Sequence, residues 1–341
     1  MLKLMSNPPH AWNDVQTEWI DAPPDAQQEI YEEHAKSVLS ENDSPDIGFR
    51  FSLNPYRGCH HACAYCYARP SHQYWDFGAG TDFERKIIVK VNAPEKLREA
   101  FQKKSWLGEV VVFSGNTDCY QPLEASYRLT RGCLEVCRDF RNPVGIITKS
   151  AIIRRDIDVL VALSKVTKLA VQFSVAFADA KMARLIEPGA PSPQTRLDAM
   201  KALSDAGIDV GVGIAPIIPG LNDSQIAEIL ERAHAAGARR AFRVMLRLPS
   251  EVKPVFFERL HAAFPDRARK VENAVREMRG GKLYQSEFGV RGKGSGERWE
   301  AIDWLFQLTC KKLGLNATRE RDVHSVEGTT FQRPGEKTLF D

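Results

Sequence analysis

From residue 47 to residue 249 the chain alternates short apolar runs with segments of helical periodicity, and this alternation limits the fold more than any other feature. The runs are FRFSL, EVVVF, VGIIT, LAVQFSV, IDVGVGIAPII and RAFRVML; helix-like stretches such as RRDIDVLVALSKV, SPQTRLDAMKALSDAG and DSQIAEILERAHAAG separate them. Continuous apolar strands that alternate with amphipathic helices must be parallel and covered on both faces. Six such units predict an α/β fold, a partial (β/α)6 TIM-like barrel of parallel strands. An extra strand-like KIIVKV implies that the first crossover is elaborated. Asp223 or Ser224 is expected to cap the helix of NDSQIAEIL, and Gly207 and Gly237 to end two helices.

On either side of the barrel the pattern changes. Residues 1–46 are acidic and proline-rich, with one helical patch near DAQQEIYEEHAKSVL, and are expected to form an arm or cap. Residues 250–341 turn helical, pass through the glycine-rich FGVRGKGSGERW and finish in a polar tail, EKTLFD, which reads as a disordered end. The chain has 43% hydrophobic and 27% charged residues, enough to bury a large core. No run of about 18 apolar residues and no basic start followed by an apolar block occurs, so a cytoplasmic protein without a membrane partner is expected. A net charge of +3 neither demands nor excludes nucleic acid, although bases cluster between Arg267 and Arg298.

Three of the seven cysteines, Cys59, Cys63 and Cys66, stand within eight residues in NPYRGCHHACAYCYARP, directly after the first apolar strand. Such crowding favours reduced thiols on a metal over disulfides, and the end of a barrel strand is where catalytic loops lie. Structural zinc would need His60 or His61 as a fourth ligand from inside the same loop. A 4Fe-4S cluster usually takes four cysteines, and three would leave one iron open to substrate or cofactor. Three buried cysteines without a metal are the plainest alternative. His60 and His61 read as solvent-exposed loop residues.

The spacing Cys59-x3-Cys63-x2-Cys66, with Tyr65 before the last cysteine, resembles the signature of the radical S-adenosylmethionine (radical SAM) enzymes. NTDCYQPLE, TKSAIIRRDIDVL, EPGAPSPQTRL, APIIPGLND and RLPSEV extend the likeness to the group related to spore photoproduct lyase. The resemblance implies a 4Fe-4S cluster held by the three cysteines. S-adenosyl-L-methionine would chelate the open iron and be cleaved reductively to a 5'-deoxyadenosyl radical. It also implies a reductase partner such as flavodoxin or ferredoxin and, within that group, a lyase that repairs a nucleic-acid lesion. The rivals are a radical SAM enzyme that modifies a protein or small molecule, and a non-catalytic iron-sulfur or zinc sensor.

Polar residues past successive strands suit a cofactor cradle: Asn116, Thr117 and Asp118 for an ammonium group, Lys149 for a carboxylate, Ser174 for a ribose hydroxyl. The family often has a Gly-Gly-Glu-like turn where this chain has Gly115-Asn116-Thr117-Asp118. By likeness to the lyase, Cys119 is a candidate hydrogen-atom donor, and Tyr65 and Tyr67 are candidates for hydrogen relay. Glu187 and Arg196 are set either to pin the loop above the barrel or to form an idle surface pair. Cys133, Cys137 and Cys310 read as small buried apolar residues.

Overall fold

A computed structural model of the chain describes residues 27–317 and 329–335. The proline-rich first part of the N-terminal arm and the tail from Glu336 lie outside the described residues. The strands are β1 (Glu29–Glu33), β2 (Leu39–Glu41), β3 (Phe51–Leu53), β4 (Tyr56–Arg57), β5 (Lys86–Lys90), β6 (Val111–Phe113), β7 (Val144–Thr148), β8 (Leu169–Ser174), β9 (Val210–Ile217) and β10 (Arg240–Met245).

The large sheet has the order β10-β9-β8-β7-β6-β3-β2. Strands β3, β6, β7, β8, β9 and β10 are parallel and lie in chain order, so each crossover advances the wall by one strand; β2, at the edge, is antiparallel to β3. With β10 and β2 as its two edges the wall is the expected partial barrel, open on one side. Its core joins strand residues such as Phe113, Ile146, Phe173 and Val212 to the apolar faces of the crossover helices. A second core, built from Phe177, Ile186 and Leu246 with Val252, Phe256 and Val271, welds the C-terminal helices Val252–Ala263 and Pro265–Glu277 onto the barrel.

Local chemistry accounts for most boundaries. Ser192 accepts from the Thr195 amide at 3.2 Å ahead of Pro193, and Asp179 accepts from the Lys181 and Met182 amides, so both side chains cap helices. Gly207 and Gly237 stand just past the last turns of Pro193–Asp205 and Ile226–Ala235, as expected. Asp223 differs from expectation: it begins a short 3-10 turn and accepts from the Gly220 amide at 3.0 Å, tying the preceding loop instead of capping the helix Ile226–Ala235.

Where a helical patch is expected near DAQQEIYEEHAKSVL, the described part, from Gln27 on, is instead extended; it supplies β1 and leads into β2. Strand β1 runs parallel to β5 in a small sheet, β1-β5-β4, with Glu29 opposite Lys86 and Glu33 opposite Lys90. Ladder pairing with the strand KIIVK, and the opposite charges of Glu33 and Lys90 across it, outweigh the helix propensity of a glutamate-rich segment. Among the described residues no helix is long and apolar enough to cross a membrane.

Candidate active site

The cysteine loop does not leave β3 directly. Asn54 and Pro55 lead into β4, which pairs with β5, and the Cys59 amide then donates to the Phe83 carbonyl at 2.8 Å. Gly58 fits there because a side chain would stand 2.9 Å from the Phe83 and Lys86 carbonyls, and its φ of +75° suits glycine. The loop itself is wound by two tight turns, Ala62 N–H to Cys59 O and Cys66 N–H to Cys63 O, both 3.2 Å. Cys59 and Cys63 are buried and Cys66 is half-buried. Burial pushes the Cys63 thiol up to about 12 and raises Cys59 and Cys66 as well; Asp118 adds to the rise at Cys59, whereas Lys149 offsets it at Cys63 and Cys66. All seven cysteines are free thiols. Among the described residues no three His, Cys, Asp or Glu side chains close on a single-ion site.

An ion triad, buried at Arg69 and Glu84 and partly exposed at Arg259, holds this loop from behind. Arg69, fully buried, donates through Nε and Nη2 to the Cys63 carbonyl at 3.2 and 2.9 Å and through Nη1 to the carbonyls of Ala79 and Gly80. Glu84 pairs with it, and also with Arg259, which reaches the Ala62 carbonyl from a helix 197 residues further along the chain. Two guanidinium groups on one carboxylate leave positive charge beside a loop of three thiols. Sequence reasoning missed this triad. Arg69 at least falls inside the cysteine-rich phrase, but Glu84 and Arg259 are single charges on helices and carry no signal.

The EPGAP loop holds the other flank. Ala64 N–H donates to the Ile186 carbonyl at 2.9 Å and Gly189 N–H to the His61 carbonyl at 3.1 Å; a β-carbon on Gly189 would stand 1.8 Å from the His60 carbonyl oxygen. Glu187 and Arg196 are a buried pair, not a surface one. Arg196 also donates to the Ser174 carbonyl at 3.0 Å, and Glu187 accepts from the Tyr65 hydroxyl. Burial works to raise the Glu187 carboxyl, yet Arg196 and Lys149 hold it below the usual carboxylate range.

The strand-end residues fall around the same bay, with differences. Asn54 accepts from the Asn116 and Thr117 amides at 2.8 and 3.2 Å, an organising role not foreseen. Asn116 also bonds Ser71, and Thr117 donates to the Tyr56 carbonyl at 2.6 Å. Asp118 accepts from Thr148 Oγ1 and from the Lys149 and Tyr120 amides and lies 3.3 Å from His61 Nδ1. Burial would raise its pKa, but these partners bring it down to about 2. Lys149 points its ammonium toward the Tyr65 ring, 5.7 Å away, and its charge is felt at Cys63. Ser174 is buried, with Oγ 3.3 Å from the Ala215 carbonyl. A cavity of about 330 Å³ lined by His61, Ser150, Arg184 and Gly189 flanks the site, while a larger one of about 520 Å³ lies at the opposite, N-terminal ends of the strands.

The two loop histidines sit otherwise than expected, and Cys119 and Tyr65 are enclosed by the fold. Cys119 is fully buried in the main core, where Cys133 and Cys137 also pack, with the side chains of Ser114 and Thr130 beside its thiol. The Tyr65 hydroxyl is engaged by Glu187. The loop histidines are not exposed: His61 is buried, and both ring nitrogens of His60 are buried without a hydrogen-bond partner among the described residues, so burial lowers its pKa to about 4. Tyr67 is half exposed and donates to the Gly115 carbonyl at 2.7 Å. Cys310, like Cys133 and Cys137, is core packing.

Residues 53–233 match the family described as the Radical SAM superfamily. An uncharacterised protein of Mycobacterium tuberculosis strain H37Rv is 36% identical over 240 residues, 70% of this chain and 71% of its own. A protein of Pseudomonas phage M6 named as a radical SAM Nalpha-GlyT isomerase is 26% identical over 261 residues, 75% of this chain and 52% of its own. Among solved structures, spore photoproduct lyase complexed with dinucleoside spore photoproduct superposes with a TM-score of 0.57 at 16% identity, over 84% of this chain and 80% of that one. That likeness is one of fold.

Proposed function

The chain belongs to the radical SAM superfamily, an enzyme family that uses a 4Fe-4S cluster and S-adenosyl-L-methionine, and from that premise we propose that it performs radical chemistry on a lesion in nucleic acid. The observation that carries the reading is the three-thiol loop, braced by Arg69, Glu84 and Arg259, at the mouth of an open parallel barrel with the fold of spore photoproduct lyase.

The donor set suits the cluster: Cys59, Cys63 and Cys66 would hold three irons and leave the fourth uncovered. When bound, the cluster supplies the electron that cleaves S-adenosylmethionine to a 5'-deoxyadenosyl radical. The chain's own residues do the rest. The thiols would bind the cluster as thiolates, and Lys149 together with the two guanidinium groups behind the loop favours that form against the burial that opposes it. The Lys149 ammonium, with no carboxylate in salt-bridge range among the described residues, is suited to take the cofactor's carboxylate, and Ser174 to take a ribose hydroxyl. Asn54 fixes the Asn116–Thr117 turn, whose carbonyl groups suit the cofactor's ammonium end. The radical needs a dry bay, which Tyr65, Glu187 and Arg196 close on one side. Reduction calls for an external donor of the flavodoxin or ferredoxin class.

Tyr67, half exposed beside Cys66, is the better situated of the two tyrosines for hydrogen relay, and the burial of Cys119 favours packing over hydrogen donation. The phage isomerase supports a second reading, in which the product radical rearranges and no bond between bases is cleaved.

The test is anaerobic reconstitution with dithionite and S-adenosylmethionine, with and without oligonucleotides that carry thymine dimers or spore photoproduct. Formation of 5'-deoxyadenosine with lesion conversion supports the proposal. Formation of 5'-deoxyadenosine without conversion of any lesion rejects the repair reading and leaves a radical SAM enzyme with another substrate.

A further inference from the structure

The open side of the barrel, between β10 and the β2–β3 hairpin, is spanned by the glycine-rich segment 287–296. On one edge Met245 N–H donates to the Gly292 carbonyl at 3.0 Å. On the other, the Asp46 carboxylate in the hairpin loop accepts from the Gly289 amide and from Arg291 Nε, both at 2.5 Å, while Arg291 also bonds the Ser44 hydroxyl. The positive φ of Gly289, +80°, turns that amide toward the carboxylate. Arg247 stands close enough for its charge to act on Asp46.

A carboxylate gripped by one backbone amide and one guanidinium N–H has the contact set that proteins offer to phosphate oxygens. We propose that the notch made by the Gly289 amide, Arg291 and Arg247 is a binding site for a phosphodiester of the substrate strand, filled by Asp46 while substrate is absent. The inference rests on the nucleic-acid reading above.

Three further observations agree. Arg279 is fully buried beneath the strap and donates to the Leu246 and Arg291 carbonyls at 2.8 and 3.0 Å, but its Nε and Nη1 have no partner among the described residues. Its charge, with those of Arg247 and Arg291, exceeds what Asp46 alone can balance. Two exposed aromatic rings each carry an arginine: Arg291 lies 4.6 Å from the Phe288 ring centre and Arg247 lies 5.7 Å from that of Tyr67. Exposed aromatics beside arginine are how unstacked bases are held. Tyr67 follows Cys66 directly, so the notch shares a rim with the cysteine loop, and a strand anchored there would present its neighbouring base to the radical. Partly exposed ion pairs are weak, so Asp46 is a displaceable occupant and not a lock.

The test is fluorescence anisotropy of a labelled thymidine oligonucleotide on the full-length reconstituted protein, comparing wild type, D46N, R291Q and D46N/R291Q, each first shown to melt like wild type. Removing the stand-in charge should tighten binding several-fold. R291Q should weaken it about tenfold and lower the slope of log Kd against log salt by about 1. Wild-type affinity in both variants, or weakening by D46N equal to that by R291Q, overturns the notch while the nucleic-acid reading stands. Pyrophosphate serves as the second probe, read by hydrogen exchange at residues 289–293. If no oligonucleotide binds but pyrophosphate slows exchange in D46N and not in D46N/R291Q, the notch stands and the nucleic-acid reading falls; if neither probe acts, the notch falls too.

Discussion

At the residue scale the sharpest contrast is among the seven cysteines. Cys59, Cys63 and Cys66 line a loop at the mouth, whereas Cys119, Cys133, Cys137 and Cys310 pack in the core. Alanine at any of the first three should abolish the brown chromophore and 5'-deoxyadenosine formation, while C137A should keep both and lose about 1–2 kcal/mol of stability through a small cavity; iron content and urea melts check this. The Lys149 prediction concerns binding. If Lys149 takes the cofactor's carboxylate as proposed, K149M should leave the three cysteines and their iron in place and raise the S-adenosylmethionine Kd about tenfold or more; isothermal titration measures it. Asp118 yields a pH signature. Its pKa falls from an ordinary 3.8 to about 2 in the fold, so its contribution is complete above pH 4 and fades as pH drops through 2. That shift corresponds to about 2 kcal/mol, and the gap in urea midpoint between wild type and D118N should close over this window. Asp118 and Lys149 were legible from their place after strands. Asn54 was not, because its work is done by a side-chain oxygen bonding amides 62 and 63 residues away.

At the scale of elements, the parallel strands and their order could be read from apolar runs and crossover helices, because period and continuity are local properties. Strand β1 could not: EIYEE has helix-favouring glutamates, and only KIIVK, far along the chain, makes it a strand. The same limit hid the triad of Arg69, Glu84 and Arg259, which joins the cysteine loop, the short helix Thr81–Arg85 and the helix Val252–Ala263. Removing Glu84 strands two guanidinium charges, so E84Q should cost about 3–5 kcal/mol, whereas R259M leaves Glu84 paired with Arg69 and should reduce iron bound per chain, since the Ala62 carbonyl loses its donor. A merely stabilising pair would lower the urea midpoint and leave iron stoichiometry at low denaturant unchanged. The neighbouring EPGAP loop allows a purely steric probe: in G189A the new β-carbon meets the His60 carbonyl, and one loop must yield.

At the scale of the whole molecule, the barrel leans on its C-terminal helices. Sequence periodicity breaks at Pro249 and invites a boundary there, but the contacts run across it. The helix Val252–Ala263 places Arg259 behind the cysteine loop, and its Val252 and Phe256 share one core with Phe177, Ile186 and Leu246 of the barrel. The next helix leads to Arg279, which bonds the carbonyl of Leu246 just past β10, and the strap beyond it ties β10 to the hairpin on the far edge. An open barrel has two sheet edges to protect, and here the C-terminal part supplies some of that protection as well as a member of the cysteine brace. A chain ended at Pro249 should therefore expose the second core and lose the brace together. It should melt without a cooperative transition and take up less than about half the iron of the full chain after anaerobic reconstitution. A sharp wild-type-like melt with full iron loading would instead mean that the barrel is self-sufficient and that the C-terminal helices are an accessory to it.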